Sequence, residues 1–347
     1  MNSTLPDGTS ESPYCHPPEQ HEEGSRIAHL ASEVFARRIV AVHPAIHRSR
    51  LGCFWTCGTG DVSQIARFFV LLISIAVDSH RPSQHQAELY AGTIINTRKL
   101  LSSLLTQEVV ARGRTWIGRI RSRNEDVYTL RPEFGFFAVA DGMGGTSAGH
   151  IAARIAIDEI SDHLNHVSQE RSIESQDMVK AIELANEVVF DRGQTYSDFQ
   201  GMGTTLVAMA VDEYRATCGH VGDSRAYLLR RRELSRITRD HSVVQELVDR
   251  GEMTLEQART AHNRNIVTRC IGPFQNVEPE ITIQELAPGD VIMMCTDGIS
   301  DFISDVEICE IMDAHSHNLP ILLGSLVETA DRHGSTDNIT AVVAKIK

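Results

Sequence analysis

No stretch of this chain has the length and apolarity of a membrane span. The most apolar run, Phe68 to Val77, is ten residues, against the roughly twenty that a bilayer-crossing helix needs. A buried helix or strand accounts for it better. Met1 to Ser10 lacks the basic start and apolar core of a secretory signal. Cysteine is sparse: seven residues, at 15, 53, 57, 218, 270, 295 and 309, form no dense disulfide framework. Most of the last four have apolar neighbours and read as buried thiols in a reducing compartment. Cys53 and Cys57 follow His47, but a zinc site there has no convincing fourth ligand. Positive charge is also short. Lys and Arg number 33 against 46 Asp and Glu, for a net charge of -13. Such a chain suits neither a phosphate backbone nor an anionic membrane. With 41% hydrophobic and 23% charged residues, collagen, coiled coil and wholesale disorder are excluded too.

The acid surplus is uneven. Residues 1–110 hold ten acids and nine basic residues, so nearly all of the surplus belongs to 111–347. Residues 1–25 are rich in Ser, Pro, Glu and Gly and read as a disordered tail. Residues 26–110 carry patches of helical spacing and no motif. They read as an extension, helical or poorly ordered, and would also suit a gene model whose true start lies nearer Thr115.

From Thr115 the pattern changes to short apolar strands, glycine-bearing turns and occasional amphipathic helices. Strands are predicted over 134–140, 204–211, 216–221, 224–229, 281–286, 291–295 and 339–346. Helices are predicted over 148–164, 243–250, 255–262, 306–312 and 320–332. In the first, Ile151, Ile155, Ile160 and Leu164 define the apolar face. Asp212-Glu-Tyr214 and Pro288-Gly289-Asp290 are turns. Strands joined by tight turns point to an α+β layered fold with antiparallel sheets rather than a doubly wound parallel sheet.

Acidic residues recur at predicted strand ends beside glycine or a short polar residue: Asn124-Glu125-Asp126, Asp141-Gly142, Gly222-Asp223-Ser224, Asp297-Gly298 and Asp337-Asn338. Singly, each is an ordinary turn or surface acid. Together, carboxylates gathered at one rim of a sheet would repel each other unless cations sat among them. Hard divalent ions such as Mg²⁺ or Mn²⁺ want such oxygen ligands.

Six motifs carry a family resemblance. Arg121-Ser-Arg-Asn-Glu-Asp126, Asp141-Gly-Met-Gly-Gly145, Gly203-Thr-Thr205, His220-Val-Gly-Asp-Ser-Arg225, Thr296-Asp-Gly-Ile-Ser-Asp301 and Thr336-Asp-Asn-Ile-Thr340 occur in the order seen in metal-dependent serine/threonine protein phosphatases of type 2C, the PPM family. Asp240-His-Ser-Val-Val-Gln-Glu-Leu through Arg269-Cys-Ile-Gly272 resembles the bacterial branch. The resemblance covers 115–347, the expected phosphatase domain, and not 1–110. It implies a four-layer α-β-β-α sandwich with a metal centre in a cleft at one end.

By similarity, Asp141 bridges two ions, with the Gly142 carbonyl as a further ligand. Glu125 holds one ion, and Asp297 and Asp337 the other. Asp126 resembles the acid that hydrogen-bonds metal-bound waters, and Asp223 and Asp301 match positions linked to a third ion. Arg121 matches the substrate-phosphate arginine, whose guanidinium can fork onto two oxygens. The resemblance implies Mn²⁺ or Mg²⁺ as cofactor and a metal-activated water as nucleophile, with no phosphoenzyme. No cysteine lies in a C-x5-R loop and no Gly-x4-Gly-Lys-Ser/Thr loop appears, which disfavours a cysteine-dependent phosphatase and an NTPase. Some relatives carry a general-acid histidine where this chain has Met143, which cannot donate a proton. His220 and His241 are the histidines within motifs, and a histidine beside a core strand is usually structural. Residues 239–269 match a flap beside the active site; an external helix pair is the plain alternative.

The expected role is a monomeric cytoplasmic enzyme that removes phosphate from the protein targets of a Ser/Thr kinase, with no nucleic-acid or membrane partner. A catalytically dead binding module and a hydrolase of small phosphate esters are the rivals. The intact Glu125, Asp141, Asp297 and Asp337 count against the first.

Overall fold

A computed structural model of the chain describes residues 109–144, 148–212 and 214–347. The expected tail, most of the extension, and His47, Cys53 and Cys57 lie outside the described residues.

Two five-stranded antiparallel sheets form the centre. One has the order β1 (Val109–Trp116), β12 (Ile339–Ile346), β11 (Val291–Cys295), β8 (Arg225–Arg230), β9 (Glu233–Arg236). The other runs β10 (Glu280–Glu285), β7 (Arg215–Val221), β6 (Leu206–Asp212), β3 (Phe136–Ala140), β2 (Val127–Arg131). A short pair, β4 (Gly142–Met143) and β5 (Gly203–Thr204), stands beside them.

Side-chain alternation shows why β3 and β11 are continuously apolar. Phe137 and Val139 of β3 meet Ile292 and Met294 of β11 and Val342 and Ala344 of β12 between the sheets. Phe136, Ala138 and Ala140 face the opposite way, into a core shared with α1 (Ala148–Glu170) and α2 (Ser175–Thr195). On the other outer face, Met293, Cys295, Ala341 and Val343 pack with Ile308 and Met312 of α6 (Asp305–His315) and Leu322, Leu323 and Leu326 of α7 (Leu319–Arg332). The result is the four-layer sandwich. With both faces covered, no position on these strands can stay polar without cost, and each fully buried Val or Phe contributes about 1.5–3 kcal/mol.

Several elements depart from the sequence reading. The inward face of α1 is built on Ala152, Ala153, Ala156, Ile157, Ile160 and Leu164, whereas Ile151 and Ile155 are only half-buried. Small residues let α1 approach α2, which offers Met178, Ala181, Ile182, Ala185 and Val189 to the same core. The pattern does not announce α2, because polar residues interrupt its apolar face and its Asn186 is buried. Asn186 spans to the chain at Gly272, Phe274 and Gln275 through three hydrogen bonds of 2.9–3.1 Å. The β8–β9 hairpin turns on Arg231 and Arg232, both left-handed at φ 51° and 71°. That conformation suits a two-residue hairpin, but two arginines give no turn signal. Strand β1 begins at Val109, ahead of Thr115, and pairs with β12 over its whole length. Two short helices, α3 (Val243–Asp249) and α4 (Leu255–Thr260), fill the 239–269 segment.

Candidate active site

Antiparallel pairing puts the acidic residues at one rim. Val127 of β2 lies opposite Ala140 of β3, so Asp126 and Asp141 leave neighbouring strand ends. Asp297 follows β11 and opens the one-turn helix α5 (Asp297–Ser300), and Asp337 leads into β12. Those two strands pair with each other. Asp223 sits in the turn between β7 and β8, and Asp301 directly follows α5.

The backbone around Asp141 is tightly held. Its carbonyl accepts from the Thr205 N–H at 2.9 Å and the Thr204 hydroxyl at 2.8 Å, and its N–H donates to Thr205 Oγ1 at 3.1 Å. Thr205 Oγ1 also bonds Ser224 Oγ at 2.7 Å, which ties the Asp141 strand end to the Asp223 turn. Gly142 has no room for a side chain: a Cβ there would lie 2.8 Å from the Glu125 carbonyl oxygen and would run into Gly149. Glycine at this point lets the Glu125 and Asp141 segments touch.

Each acid feels the others. Burial, followed by Asp126, Asp297, Asp337 and Asp223, drives the Asp141 carboxyl well above the usual range. Asp297 is raised likewise by burial and by Asp223, Asp301, Asp337 and Asp126. Burial lifts Asp126 to about 7, against hydrogen bonds from Thr340 and Thr296. Burial, Asp240 and Asp301 lift Asp223 to about 7. Burial raises Asp301 despite Arg225 and Arg264, and Arg264 Nε lies 3.2 Å from it. Asp126 Oδ1 and Asp297 Oδ1 are buried with no hydrogen-bond partner. Crowded, desolvated carboxylates with unused lone pairs and an all-oxygen donor set fit divalent cations of the Mg²⁺ or Mn²⁺ kind. The Glu125 carboxylate makes no hydrogen bond among the described residues, while its N–H is held by Asn338 Oδ1 at 2.8 Å.

Arg121 reaches this rim. Its Nη2 lies 2.5 Å from Asp337 Oδ2. Burial works against its charge, but Asp337, Asp141 and Asp297 outweigh that and hold the guanidinium above its ordinary value. The side chain is still half-exposed, so a phosphate could meet it from solvent.

The histidines belong elsewhere. His220 Nε2 lies 2.7 Å from the Arg239 carbonyl, which can only accept, so the proton is on Nε2. His241 Nδ1 accepts from the Gly222 N–H at 3.2 Å. Burial lowers His220, and burial, His220 and Arg269 push His241 down to about 4. Both are neutral at pH 7, and neither bonds a rim carboxylate among the described residues. With Glu280 they bring ligand atoms within 4.8 Å of one another. Their rings, however, stack at 4.6 Å between centroids and 18° between planes. Lone pairs lying in near-parallel planes do not converge on one ion, so this is a packing pair.

The residues that the sequence reading passes over are the neutral ones. Thr296 Oγ1 donates to Asp126 Oδ2 at 2.9 Å, and Thr204, Thr205, Ser224 and Asn338 hold the backbone that carries the acids. Their only signal is a place inside the quoted motifs.

Comparison with known proteins places the chain. Residues 122–321 match the family Protein phosphatase 2C. The chain belongs to this family. The Mycobacterium tuberculosis serine/threonine protein phosphatase PstP is 36% identical over 232 residues, covering 66% of this chain and 43% of PstP; the matched part thus spans less than half of that relative. A putative protein phosphatase 2C-type of Streptococcus pyogenes is 34% identical, covering 65% of this chain and 93% of its own. Among solved structures, the catalytic domain of PstP in complex with two manganese ions is similar at a TM-score of 0.61 and 33% identity, over 69% of this chain and 98% of that one. The Streptococcus agalactiae serine/threonine phosphatase is similar at 0.64 and 31%, over 69% and 100%. The family's two-manganese relative agrees with the donor chemistry of the rim.

Proposed function

We propose that this chain hydrolyses phosphoserine and phosphothreonine in proteins, with Glu125, Asp141, the Gly142 carbonyl, Asp297 and Asp337 holding two Mn²⁺ or Mg²⁺ ions. The observation that carries the reading is the meeting of Asp126, Asp141, Asp223, Asp297 and Asp337 in one another's electrostatic fields. Bound metal supplies positive charge and an activated water at neutral pH. The protein does the rest. Asp126, buried and with one oxygen unpartnered, accepts a hydrogen bond from water at the centre. Arg121, released from Asp337 towards a phosphate, pairs with two of its oxygens and neutralises charge that builds there. Asp223 and Asp301 form a third, weaker cation position. Met143 offers no proton, so the leaving oxygen takes one from water.

Three of the four described cysteines are poor nucleophiles. Cys218 and Cys295 are pushed up to about 12 by burial, and Cys270 to about 11 by burial and Asp223. They remain thiols at neutral pH, and the thiolate is the reactive form. All four described cysteines are unpaired, which suits a reducing compartment. No described helix is long and apolar enough to cross a membrane. We take the enzyme to act as a cytoplasmic monomer on proteins phosphorylated by a Ser/Thr kinase.

The test is phosphate release from a phosphothreonine peptide. Manganese should drive it, chelator should stop it, and Asp141→Asn should abolish both turnover and manganese binding by calorimetry. Turnover that survives Asp141→Asn would remove the metal mechanism. Folded protein that binds manganese and never turns over would favour a regulatory binding module.

A further inference from the structure

The segment from Ile117 to Glu125 joins β1 to β2 and carries both Arg121 and Glu125. Its side chains from Arg119 to Arg123 are exposed, so no core packing fixes it. Among the described residues it makes no backbone–backbone hydrogen bond. Arg119 and Arg121 reach Asp331 and Asp337, but both arginines are more than half-exposed and solvent weakens such pairs. Near its end, Asn124 Nδ2 donates to Thr115 Oγ1 at 2.7 Å, and Asn124 Oδ1 accepts from the Asp126 N–H at 3.2 Å. Three further attachments, which reach across the segment, converge on one buried carboxamide. Asn338 Nδ2 donates to the Ile117 carbonyl at 2.8 Å and to the Arg123 carbonyl at 2.9 Å. Its Oδ1 accepts from the Glu125 N–H at 2.8 Å. The two carbonyls bracket Arg121 in sequence. Gly118, left-handed at φ 77°, brings the same segment so close to the Asp337 carbonyl that a Cβ would collide with it.

We propose that Asn338 is a positioning residue that sets Arg121 and Glu125 against the carboxylate of the adjacent Asp337. The inference rests on the roles assigned above to Arg121 and Glu125. All three hydrogen bonds of the Asn338 carboxamide go to backbone groups. Its carboxamide closes the segment into a rigid arch, and its own backbone follows directly from Asp337. One side chain thereby keeps the phosphate-binding arginine in register with the metal-binding acids. No other side-chain type offers two donors and an acceptor at this length. Removing it leaves two carbonyls and one N–H to find water, and the arch loosens.

The test is a double-mutant cycle on the full chain at saturating manganese, with Asn338→Ala, Arg121→Ala and the double variant, and a phosphothreonine peptide as substrate. Asn338→Ala should lower kcat/KM by about 10–100-fold, the scale on which misplaced groups cost rate. In the Arg121→Ala background the same change should cost less than about threefold, because groups acting as a unit are not additive. Equal losses in both backgrounds would overturn the proposal, because saturating manganese masks a metal-affinity loss through Glu125 and the remaining effect must run through Arg121. Hydrogen exchange gives a readout apart from activity. The Glu125 amide, the one in this segment that donates to Asn338, should exchange faster in Asn338→Ala while those of β12 keep their protection; unchanged exchange at Glu125 would also overturn the proposal. If Asn338→Ala does not fold, Asn338→Asp keeps the shape and the acceptor for Glu125, loses both donors, and runs through the same cycle. Should Arg121→Ala by itself leave turnover unchanged, the phosphate role of Arg121 fails, and exchange at the Glu125 amide alone decides on Asn338.

Discussion

Asp126 allows the electrostatic reading of the rim to be tested as a stability measurement. In metal-free protein its carboxyl is raised from 3.8 to about 7, chiefly by burial and also by Asp337. A carboxyl whose folded pKa is raised favours the folded state fully below its unfolded value, and that stability disappears as pH climbs through the folded value. The window is therefore about pH 4 to 7. Roughly three units at 1.36 kcal/mol each comes to about 4 kcal/mol. Asp126→Asn has nearly the same shape and does not titrate. It gives up the carboxylate that accepts from Thr296 only in part, since the amide oxygen can still accept. Any fixed cost of the amide shifts the baseline without changing with pH. Urea unfolding of both chelated proteins from pH 4 to 8 should show the stability of the variant, relative to wild type, rising by about 4 kcal/mol across the window. Adding manganese at pH 8 should close most of that gap, because wild type then keeps its carboxylate with a cation nearby. Two curves that run parallel from pH 4 to 8 would refute the claim that burial and crowding hold this carboxyl protonated.

Two further substitutions probe how the rim is held. Gly142→Ala drives a methyl into the Glu125 and Gly149 backbone, and it should cost more than about 2 kcal/mol in urea unfolding and weaken manganese binding by calorimetry; a cost below about 0.5 kcal/mol would show that the two segments move apart freely. Arg225→Met removes a guanidinium that grips Asp240 through Nε and Nη2 at 2.7–3.2 Å, with Asp240 only 8% exposed. Arg236 also pairs with Asp240, so the expected loss is about 3 kcal/mol, at the low end for a broken buried pair, and a loss under about 1 kcal/mol would mean that Arg236 alone compensates.

Legibility followed physical cause residue by residue. Strand β12 was readable at both ends because two buried faces demand a mainly apolar run, and Ile339 to Ile346 is apolar except at Thr340 and Lys345. Helix α2 was not, because its buried face includes Asn186, whose partners lie some 86 to 89 residues away in the chain. Strand β9 was hidden by a turn of two arginines. Strand β2 was overlooked beside the more apolar β3, with which it pairs.

At the acidic rim, the amino-acid order alone marked out the candidate acids. Carboxylates beside glycine at successive strand ends form a pattern that survives in one dimension, because each local turn needs its own residues. What folding decided is how those acids interact. Antiparallel pairing brings strand ends far apart in sequence to one rim, and only there do burial and mutual repulsion raise their pKa values. The same convergence made Asn338 visible, since a carboxamide spanning Ile117, Arg123 and Glu125 has no meaning until those segments lie side by side.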